Sequence, residues 1–538
     1  MGKNKVILFI IVWLLLVQYG MAQDFYFVSF TDKQNNGFTI EQPSEFLSQR
    51  AILRRQKQGI SVTEQDLPLT NLYLEALRNK GIEVFEQSRW FNGAIIRSDQ
   101  PEADQLKNEP YVETVTYIAP SNYAGRIKQK DETLHLDNTP SDSLFQNDIL
   151  GVEEMHSDGY YGQNMLIAVL DGGFRGVDTA SPFSHMFTNN QLLYSYDFVS
   201  KTDNVFDYSQ HGTKVLSTMV AQKEDVYQGI APDADYMLFV TENVPTEYRI
   251  EEYYWLIAAE RADSAGVDVI STSLGYFSFD DPTMNYTHED LTGATAVITR
   301  AASIATEKGI VVVSSAGNQG DDPWQKITFP SDMLNGLSVG SITSNYDLSY
   351  FSSFGPTADG RIKPDVVAMG SNTYVIDETG SISFTGSGTS LAAPQVAALT
   401  AGIWQAYPDL SALEIIEAMR MSADNAGSPD NAFGYGIPSY VAVKNYLEAV
   451  TLNSRFEVYP NPIILGETLN IKIVDPQKTD RITLLVFEAT GKQLSEGSYD
   501  VSWRDNEAIL SLSELPTGVY FLRVVFESGS EGFRIVKL

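Results

Sequence analysis

One serine occupies a position suited to nucleophilic catalysis. Ser390 stands in the segment Gly-Ser-Gly-Thr-Ser-Leu-Ala-Ala-Pro over residues 386–394, and an apolar stretch of helical pattern follows it to about Ala406. The start of a helix presents unpaired N–H groups and a partial positive charge, which stabilise the oxyanion that develops on a carbonyl attacked by Ser390. Because serine is also a common helix cap, the segment needs a general base nearby before it predicts a nucleophile.

The chain has five histidines, and one of them opens a pattern that suits a base. His211 begins the segment His-Gly-Thr-Lys-Val, in which Gly212 leaves room around the imidazole and a predicted helix continues to about Ala221. For the other histidines a solvated or packing side chain is the simpler interpretation: His135, His156, His185 and His288. His211 is therefore the candidate general base.

Two further side chains complete the set. The apolar run over 166–170 ends at Asp171, and a carboxylate there can orient an imidazole and stabilise its charged form. A second apolar run over 310–315 leads to Asn318, whose side-chain amide can donate to an oxyanion. Together these residues supply what acyl transfer through a serine nucleophile requires.

Residues 149–450 alternate short apolar runs with stretches of helical length. The runs are bounded by Gly, Asp or Asn and lie at 165–170, 236–240, 267–271, 310–314 and 337–339. Helical stretches such as 250–265 and 292–308 separate several of them. This alternation predicts an α/β domain with a parallel sheet and flanking helices, whose active site lies beyond the carboxyl ends of the strands.

The four segments, in the order Asp, His, Asn, Ser, resemble those of the subtilisin-like serine proteases (subtilases, peptidase S8 family) over residues 150–445. The resemblance implies that Asp171, His211 and Ser390 form a catalytic triad and that Asn318 helps to bind the oxyanion. It also implies a substrate-binding strand with Ser273, Leu274 and Gly275. Further matching segments lie at 229–232, 329–331, 351–355 and 363–365.

Three positions depart from the family's pattern. Gly172 replaces the usual Ser or Thr after the aspartate, and Leu391 and Gln395 replace the commoner Met and His near the nucleophile. None of these changes removes a catalytic atom, so they bear on rate and specificity and leave the expected reaction class unchanged.

The flanking parts have other patterns. Residues 1–22 combine Lys3 and Lys5 with an apolar run and small residues, which predicts a secretory signal peptide; a permanent membrane anchor is the alternative. Residues 23–120 predict a small α+β unit, and the polar residues 121–148 predict an exposed linker that proteases can cut. Residues 455–538 predict a β-sandwich of short alternating strands.

Two of these parts resemble modules that accompany bacterial subtilases. Residues 46–55 and 88–93 resemble the family's inhibitory propeptide, with a plain structural domain as the alternative. Residues 459–462, 518–524 and 534–538 resemble a type IX secretion sorting domain, with a carbohydrate- or protein-binding sandwich as the alternative. The resemblance implies passage through the periplasm to the medium or outer cell surface, with the outer-membrane secretion machinery as a partner.

The composition narrows the partners and cofactors. The 538 residues carry a formal net charge of −32, which disfavours nucleic acid as a partner. The chain has no cysteine, which excludes disulfides, thiolate nucleophiles and cysteine–zinc sites. The sequence predicts no cofactor for catalysis and no metal site; the family often carries structural calcium, but no convincing ligand run stands out.

We therefore expect a secreted serine endopeptidase, made as a zymogen with its own propeptide as inhibitor, that hydrolyses peptide or protein substrates. Two rivals remain. One is a catalytically inactive subtilase fold that binds partners at the cell surface, and the other is peptide ligation or ester hydrolysis on the same residues. Preference at the P1 position is not readable, because loops shape that pocket.

Overall fold

The structure is a computed structural model of the chain, and it describes residues 23–123, 145–224 and 226–453. In the C-terminal part it describes residues 456–461, 463, 468–474, 482–488, 494, 500–504, 507–526 and 529–537. The predicted signal peptide and most of the predicted linker, 124–144, lie outside the described residues. Within the described ranges no helix combines the length and the apolar character that crossing a membrane requires.

An antiparallel sheet forms the N-terminal domain. Its strands are β1 (Asp24–Phe30), β2 (Glu83–Ser88), β3 (Gly93–Ser98) and β4 (Val112–Ala119), in the order β2-β3-β1-β4. The helices along this part of the chain are α1 (Gln49–Gln58), α2 (Asn71–Asn79) and α3 (Gln100–Leu106). Leu74 and Leu77 of α2 share a core with Val28 of β1. The prediction of a small α+β unit is confirmed.

The central domain is built on a larger sheet. Its strands are β5 (Leu166–Asp171), β6 (Leu192–Asp197), β9 (Asp235–Val240), β10 (Val269–Thr272), β11 (Val311–Ser315), β12 (Leu337–Ile342) and β13 (Val366–Met369), with the short strands β7 (Gln222–Lys223) and β8 (Tyr227–Gln228) paired apart. The seven strands are parallel, in the order β13-β12-β11-β10-β5-β9-β6. The predicted parallel α/β sheet is confirmed.

The register of this sheet aligns the strand ends that carry the candidate site. Asp171 pairs with Val240 across β5 and β9, and Thr272 of β10 pairs with Leu170 of β5 and Ser314 of β11. All six residues of β5 are buried, as expected for a parallel strand covered by helices on both faces. The carboxyl ends of β5, β9, β10 and β11 therefore meet at one edge.

Helices and one hairpin cover the sheet. The helices of this domain are α4 (Phe145–Asp148), α5 (Val152–Ser157), α6 (Ser184–Thr188), α7 (His211–Val220), α8 (Ile250–Ala265), α9 (Val297–Glu307), α10 (Thr389–Ala406) and α11 (Ala412–Ser422). Helix α12 (Tyr440–Asn453) follows along the chain. Strands β14 (Thr373–Ile376) and β15 (Ile382–Gly386) form the hairpin that leads into α10. Helix α10 is buried from Thr389 to Trp404, which explains why its sequence is apolar on every face.

Both described ends of the predicted linker are packed. Tyr123 is 1% exposed. Residues 145–148 form α4, in which Gln146 is buried and donates to the carbonyl of Tyr374. The exposed character predicted for 121–148 therefore does not extend to Tyr123 and Gln146, because their side chains find partners in the central domain. Asp148 is exposed, as predicted.

The C-terminal part consists of two antiparallel sheets. One contains β16 (Phe456–Tyr459), β17 (Leu469–Ile473), β19 (Asp500–Arg504) and β20 (Glu507–Ser511), and the other contains β18 (Thr483–Glu488), β21 (Gly518–Phe526) and β22 (Gly529–Lys537). Leu469 and Leu510 of the first sheet share one core with Val486 and Leu522 of the second. This is the β-sandwich that the sequence predicts.

Candidate active site

A histidine and a buried aspartate form the centre of the candidate site. Asp171 is the last residue of β5 and is fully buried, and His211 is the first residue of α7. The imidazole Nδ1 lies 2.9 Å from Asp171 Oδ1 and 2.9 Å from Oδ2. The N–H of Gly172 donates to Asp171 Oδ1 at 2.7 Å, which fixes the carboxylate. The imidazole itself is partly exposed toward the cleft.

The aspartate sets both the charge and the tautomer of the histidine. Burial disfavours the imidazolium, but the nearby carboxylate of Asp171 outweighs it, so the pKa of His211 is raised above its ordinary value. The carboxylate of Glu242 acts in the same direction on that pKa. Because a carboxylate accepts the proton on Nδ1, Nε2 is left without one in the neutral ring, as a general base requires.

The serine and the asparagine face a common space. Ser390 is the second residue of α10, and Asn318 lies three residues after β11. A Cβ atom at position 388 would lie 2.9 Å from Ser390 Oγ and 3.5 Å from Asn318 Nδ2, so both polar atoms adjoin the backbone of Gly388. Gly388 has a φ of 152°, which L side chains rarely adopt.

Hydrogen bonds fix the orientation of Asn318. Its Oδ1 accepts from the N–H of Thr389 at 2.8 Å and from the Thr389 hydroxyl at 3.0 Å. With the carbonyl oxygen held by the start of α10, the amide Nδ2 is the group that remains to donate toward Gly388. The N–H groups of Thr389 and Leu391 already donate to Asn318 Oδ1 and to the carbonyl of Gly388. The N–H of Ser390, 3.7 Å from a Cβ atom at position 388, is the first-turn donor beside Asn318 Nδ2.

The predicted substrate-binding residues directly follow β10. Ser273 is buried, and its hydroxyl donates to the carbonyl of Ser390 at 2.9 Å. Leu274 is buried in the central core, whereas Gly275 is exposed. A Cβ atom at position 275 would lie 2.2 Å from Thr328 Oγ1, which is too close. The backbone at 275 approaches Thr328 this closely because the residue there is glycine.

Two of the departures from the family's pattern have a structural reason. A Cβ atom at position 172 would lie 2.7 Å from Val244 Cγ2 and 3.3 Å from Glu242 Oε2, so glycine makes room for these neighbours. Gln395 is buried, and its Nε2 donates to the carbonyls of Met369 at 2.7 Å and Leu391 at 2.6 Å. It thereby ties α10 to the end of β13.

Sequence reasoning missed an acidic group beside the site. Ligand oxygens of Glu242, Glu247 and Glu251 lie within 4.8 Å of one another, and within the described ranges this is the set of acidic side chains that could share a cation. Burial and the neighbouring Glu242 raise the pKa of Glu247 to about 9. Closely spaced glutamates before and inside the largely apolar helix α8 were the available signal.

The N-terminal domain is anchored to the central domain through helix α8. Glu260 Oε1 accepts from the Ser88 hydroxyl at 2.5 Å and from the N–H of Trp90 at 3.2 Å, and Oε2 accepts from the N–H of Arg89 at 2.9 Å. Arg89 also forms an ion pair with buried Asp263 at 2.9 Å. A carboxylate that satisfies three buried donors fixes the turn between β2 and β3 on this helix.

Three families match successive parts of the chain. The subtilase family matches residues 162–436, the peptidase S8 propeptide domain of Bacteroidota matches residues 25–134, and the secretion system C-terminal sorting domain matches residues 457–537. The chain is thus a subtilase that carries a propeptide and a sorting domain.

Individual proteins agree with these matches. Subtilisin NAT of Bacillus subtilis subsp. natto is 27% identical over 367 residues, which are 67% of this chain and 82% of that protein. The major intracellular serine protease of Bacillus subtilis is 31% identical over 259 residues, 46% of this chain and 70% of that protein. The crystal structure of the epidermin leader peptide processing serine protease from Staphylococcus aureus shares the fold, with a TM-score of 0.55 at 17% identity over 78% of this chain and 99% of that chain. The chain belongs to the subtilase family and is a serine-type endopeptidase.

Proposed function

We propose that the chain is a zymogen whose mature form hydrolyses peptide bonds through Ser390, His211 and Asp171. The observation that carries the proposal is the buried carboxylate 2.9 Å from His211 Nδ1, at the end of the sheet where Asn318 follows β11 and the Ser273 hydroxyl donates to the carbonyl of Ser390. His211 Nε2 takes the hydroxyl proton as Ser390 Oγ attacks the peptide carbonyl. It then donates this proton to the leaving amine, and water hydrolyses the acyl-enzyme.

Product analysis tests this proposal against its two rivals. The purified mature enzyme is incubated with a peptide library in H₂¹⁸O, and the products are identified by mass spectrometry. Hydrolysis gives two fragments and places ¹⁸O in the new carboxylate. Joined peptides would favour ligation, turnover of esters alone would favour an esterase, and the absence of any turnover would favour the inactive binding protein.

We expect a selective loss of turnover when Asn318 is replaced by alanine. Asn318 Nδ2 is assigned to the oxyanion, which exists only in the transition state, so kcat falls roughly 10²- to 10³-fold with little change in KM. Steady-state kinetics on one peptide measure both constants. Asn345→Ala serves as the control, because Asn345 is exposed and its described hydrogen bond runs from its N–H to the Thr343 hydroxyl. A change confined to KM would instead assign Asn318 to substrate binding.

We further propose that residues 23–120 inhibit the enzyme until they are released, and that the chain is cut between about Asn122 and Asp148. Hydrogen bonds to Glu260 and the ion pair of Arg89 with Asp263 hold this propeptide on helix α8. We therefore expect it to leave slowly, so that active enzyme appears after a lag. Glu260→Gln replaces an acceptor oxygen by a donor opposite buried N–H groups. We expect propeptide release to accelerate about 10- to 100-fold.

The lag before activity measures that release. Glu83→Gln is the matched control, because Glu83 is half-exposed and pairs only weakly, at 3.5 Å, with Arg97 inside the N-terminal domain. An unchanged lag in Glu260→Gln would show that this anchor does not limit activation. A shortened lag in both variants would point to a general loss of stability in the N-terminal domain.

The sorting domain indicates secretion or attachment outside the cell, and we propose that the type IX machinery recognises it. The proposed catalytic residues all lie before residue 440, so catalysis does not require the tail. Deleting residues 459–538 is expected to leave an active enzyme that stays in the periplasm. Assays of each fraction of the producing cells test this expectation. Normal amounts of the truncated enzyme in the medium would favour a substrate-binding role for the tail.

A further inference from the structure

A tyrosine at the end of the described N-terminal segment occupies a pocket in the central domain. Tyr123 is 1% exposed. Its hydroxyl donates to Glu251 Oε1 at 3.0 Å, and its backbone carbonyl accepts from Asn243 Nδ2 at 2.8 Å. Both the side chain and the backbone of Tyr123 are therefore held by polar groups of the central domain.

Aromatic rings of the central domain line this pocket. The ring centroid of Tyr123 lies 6.0 Å from that of Tyr248 and 6.3 Å from that of Tyr254. Phe25, at 6.3 Å, belongs to the N-terminal domain and leaves with it. We call the group formed by Asn243, Tyr248, Glu251 and Tyr254 the tyrosine pocket; it remains when the N-terminal domain is gone.

The tyrosine pocket adjoins the catalytic groups. Asn243 follows β9, whose last residue, Val240, pairs with Asp171. Glu242, next to Asn243, approaches position 172, one residue beyond the catalytic aspartate. A cut on the carboxyl side of Tyr123, within the range proposed above, makes this pocket one that accepts a residue from the amino-terminal side of a scissile bond.

The chemistry of Glu251 fits a hydroxyl better than the alternatives. Glu251 is fully buried, and its Oε2 has no hydrogen-bond partner among the residues that the structure describes. A pocket for phenylalanine or leucine gains nothing from a buried acceptor, because an acceptor without a donor is costly. With Tyr123 in place, burial and then the neighbouring Glu247 raise the pKa of Glu251 well above its ordinary value.

We propose that the tyrosine pocket is a specificity subsite of the mature enzyme. It selects protein and peptide substrates that carry tyrosine at one position before the scissile bond, and Glu251 distinguishes tyrosine from phenylalanine through the hydroxyl. In the zymogen Tyr123 fills the same pocket. This inference rests on the proposed peptidase function and assigns its substrate class.

The first test compares the number of residues between tyrosine and the cleaved bond in the chain itself and in peptide substrates. N-terminal sequencing of the mature enzyme gives the spacing between Tyr123 and the cut. A peptide library then shows where tyrosine is selected, and the two spacings should agree. Cleavage with no preference for tyrosine over phenylalanine at that spacing would overturn the inference, as would a preference for lysine or arginine there.

The second test uses two peptides that differ only in tyrosine or phenylalanine at the selected position. We expect kcat/KM to favour tyrosine about 10- to 100-fold, because phenylalanine leaves the buried acceptor without its donor. Glu251→Gln keeps an acceptor oxygen and should keep the preference. Glu251→Leu removes the acceptor and should abolish or invert it.

Glu252→Gln is the matched control, because Glu252 is buried on the same helix and accepts from the Tyr286 hydroxyl at 2.8 Å instead. Its tyrosine preference should equal that of the wild type, and an equal loss in Glu252→Gln and Glu251→Leu would overturn the inference. If Glu251→Leu does not fold, two wild-type measurements still test the inference. They are the ratio of kcat/KM for the tyrosine and phenylalanine peptides, and the agreement between the two spacings. If the wild-type enzyme cleaves no peptide, the proposed function fails; if it cleaves without selecting tyrosine, this inference alone fails.

Discussion

Replacing Ser390 by alanine is expected to lower kcat on the order of 10⁶-fold while the protein remains folded. The variant keeps the helix, the oxyanion donors and His211, but it has no atom that can attack the carbonyl. Steady-state kinetics give kcat, and the melting temperature of the same preparation shows whether the variant is folded. The proposed cut between Asn122 and Asp148 should also disappear if the chain processes itself.

Ser387→Ala is the matched control for this variant. Ser387 belongs to the same loop, is exposed, and accepts from the N–H of Asn372 at 3.2 Å without reaching the candidate triad by any described contact. It should retain activity close to that of the wild type. Proteolysis retained by pure Ser390→Ala, or an equal loss in Ser387→Ala, would contradict the assignment of the nucleophile.

Asp171→Asn is expected to lower kcat about 10⁴-fold at neutral pH. The amide of asparagine can donate to Nδ1, which stabilises the wrong tautomer of His211 and leaves Nε2 protonated and unable to act as a base. The fold should persist, because the replacement has nearly the same size in the same buried position. Asp178→Asn, an exposed aspartate in the loop after β5, is the control and should be neutral.

The pH profile of kcat/KM separates this effect from a general loss of structure. His211 must be neutral to accept the proton, and the carboxylate of Asp171 raises the pKa of His211 above 6.5. Activity of the wild type should therefore fall as the pH drops through a value above 6.5, and the residual activity of Asp171→Asn should fall only at lower pH. If kcat/KM falls at the same acidic pH in the wild type and in Asp171→Asn, the Asp171–His211 pair does not determine that fall.

Most of the central sheet could be predicted because its strands are continuous apolar runs. Strand β6 (Leu192–Asp197) was not recognised, since it lies at the sheet edge, exposes Leu193 and Tyr194, and has a serine among its apolar residues. Strand β13 (Val366–Met369) was also missed, because an apolar run of only four residues does not stand out in the sequence. The helix predicted from 292 begins at Val297, because residues 292–296 form a turn held by Thr292 and Thr295.

The site was predictable only where its residues lie in local motifs. Asp171, His211, Asn318 and Ser390 each stand beside a strand end or helix start that the sequence reveals. The tyrosine pocket does not, because Tyr123 and Glu251 are 128 positions apart and meet only when the N-terminal domain packs on α8. The sequence predicts a helix over 250–265, but it does not predict which segment covers Glu251.

Labelling of the active serine shows whether Ser390 is a nucleophile activated by His211. The mature enzyme is treated with a fluorophosphonate, which reacts with a serine whose hydroxyl is activated by a neighbouring base, and the adduct is located by peptide mass mapping. We expect one adduct per chain, on Ser390, and its loss in His211→Ala. An adduct on another serine, or equal labelling of Ser390 in wild type and His211→Ala, would contradict it.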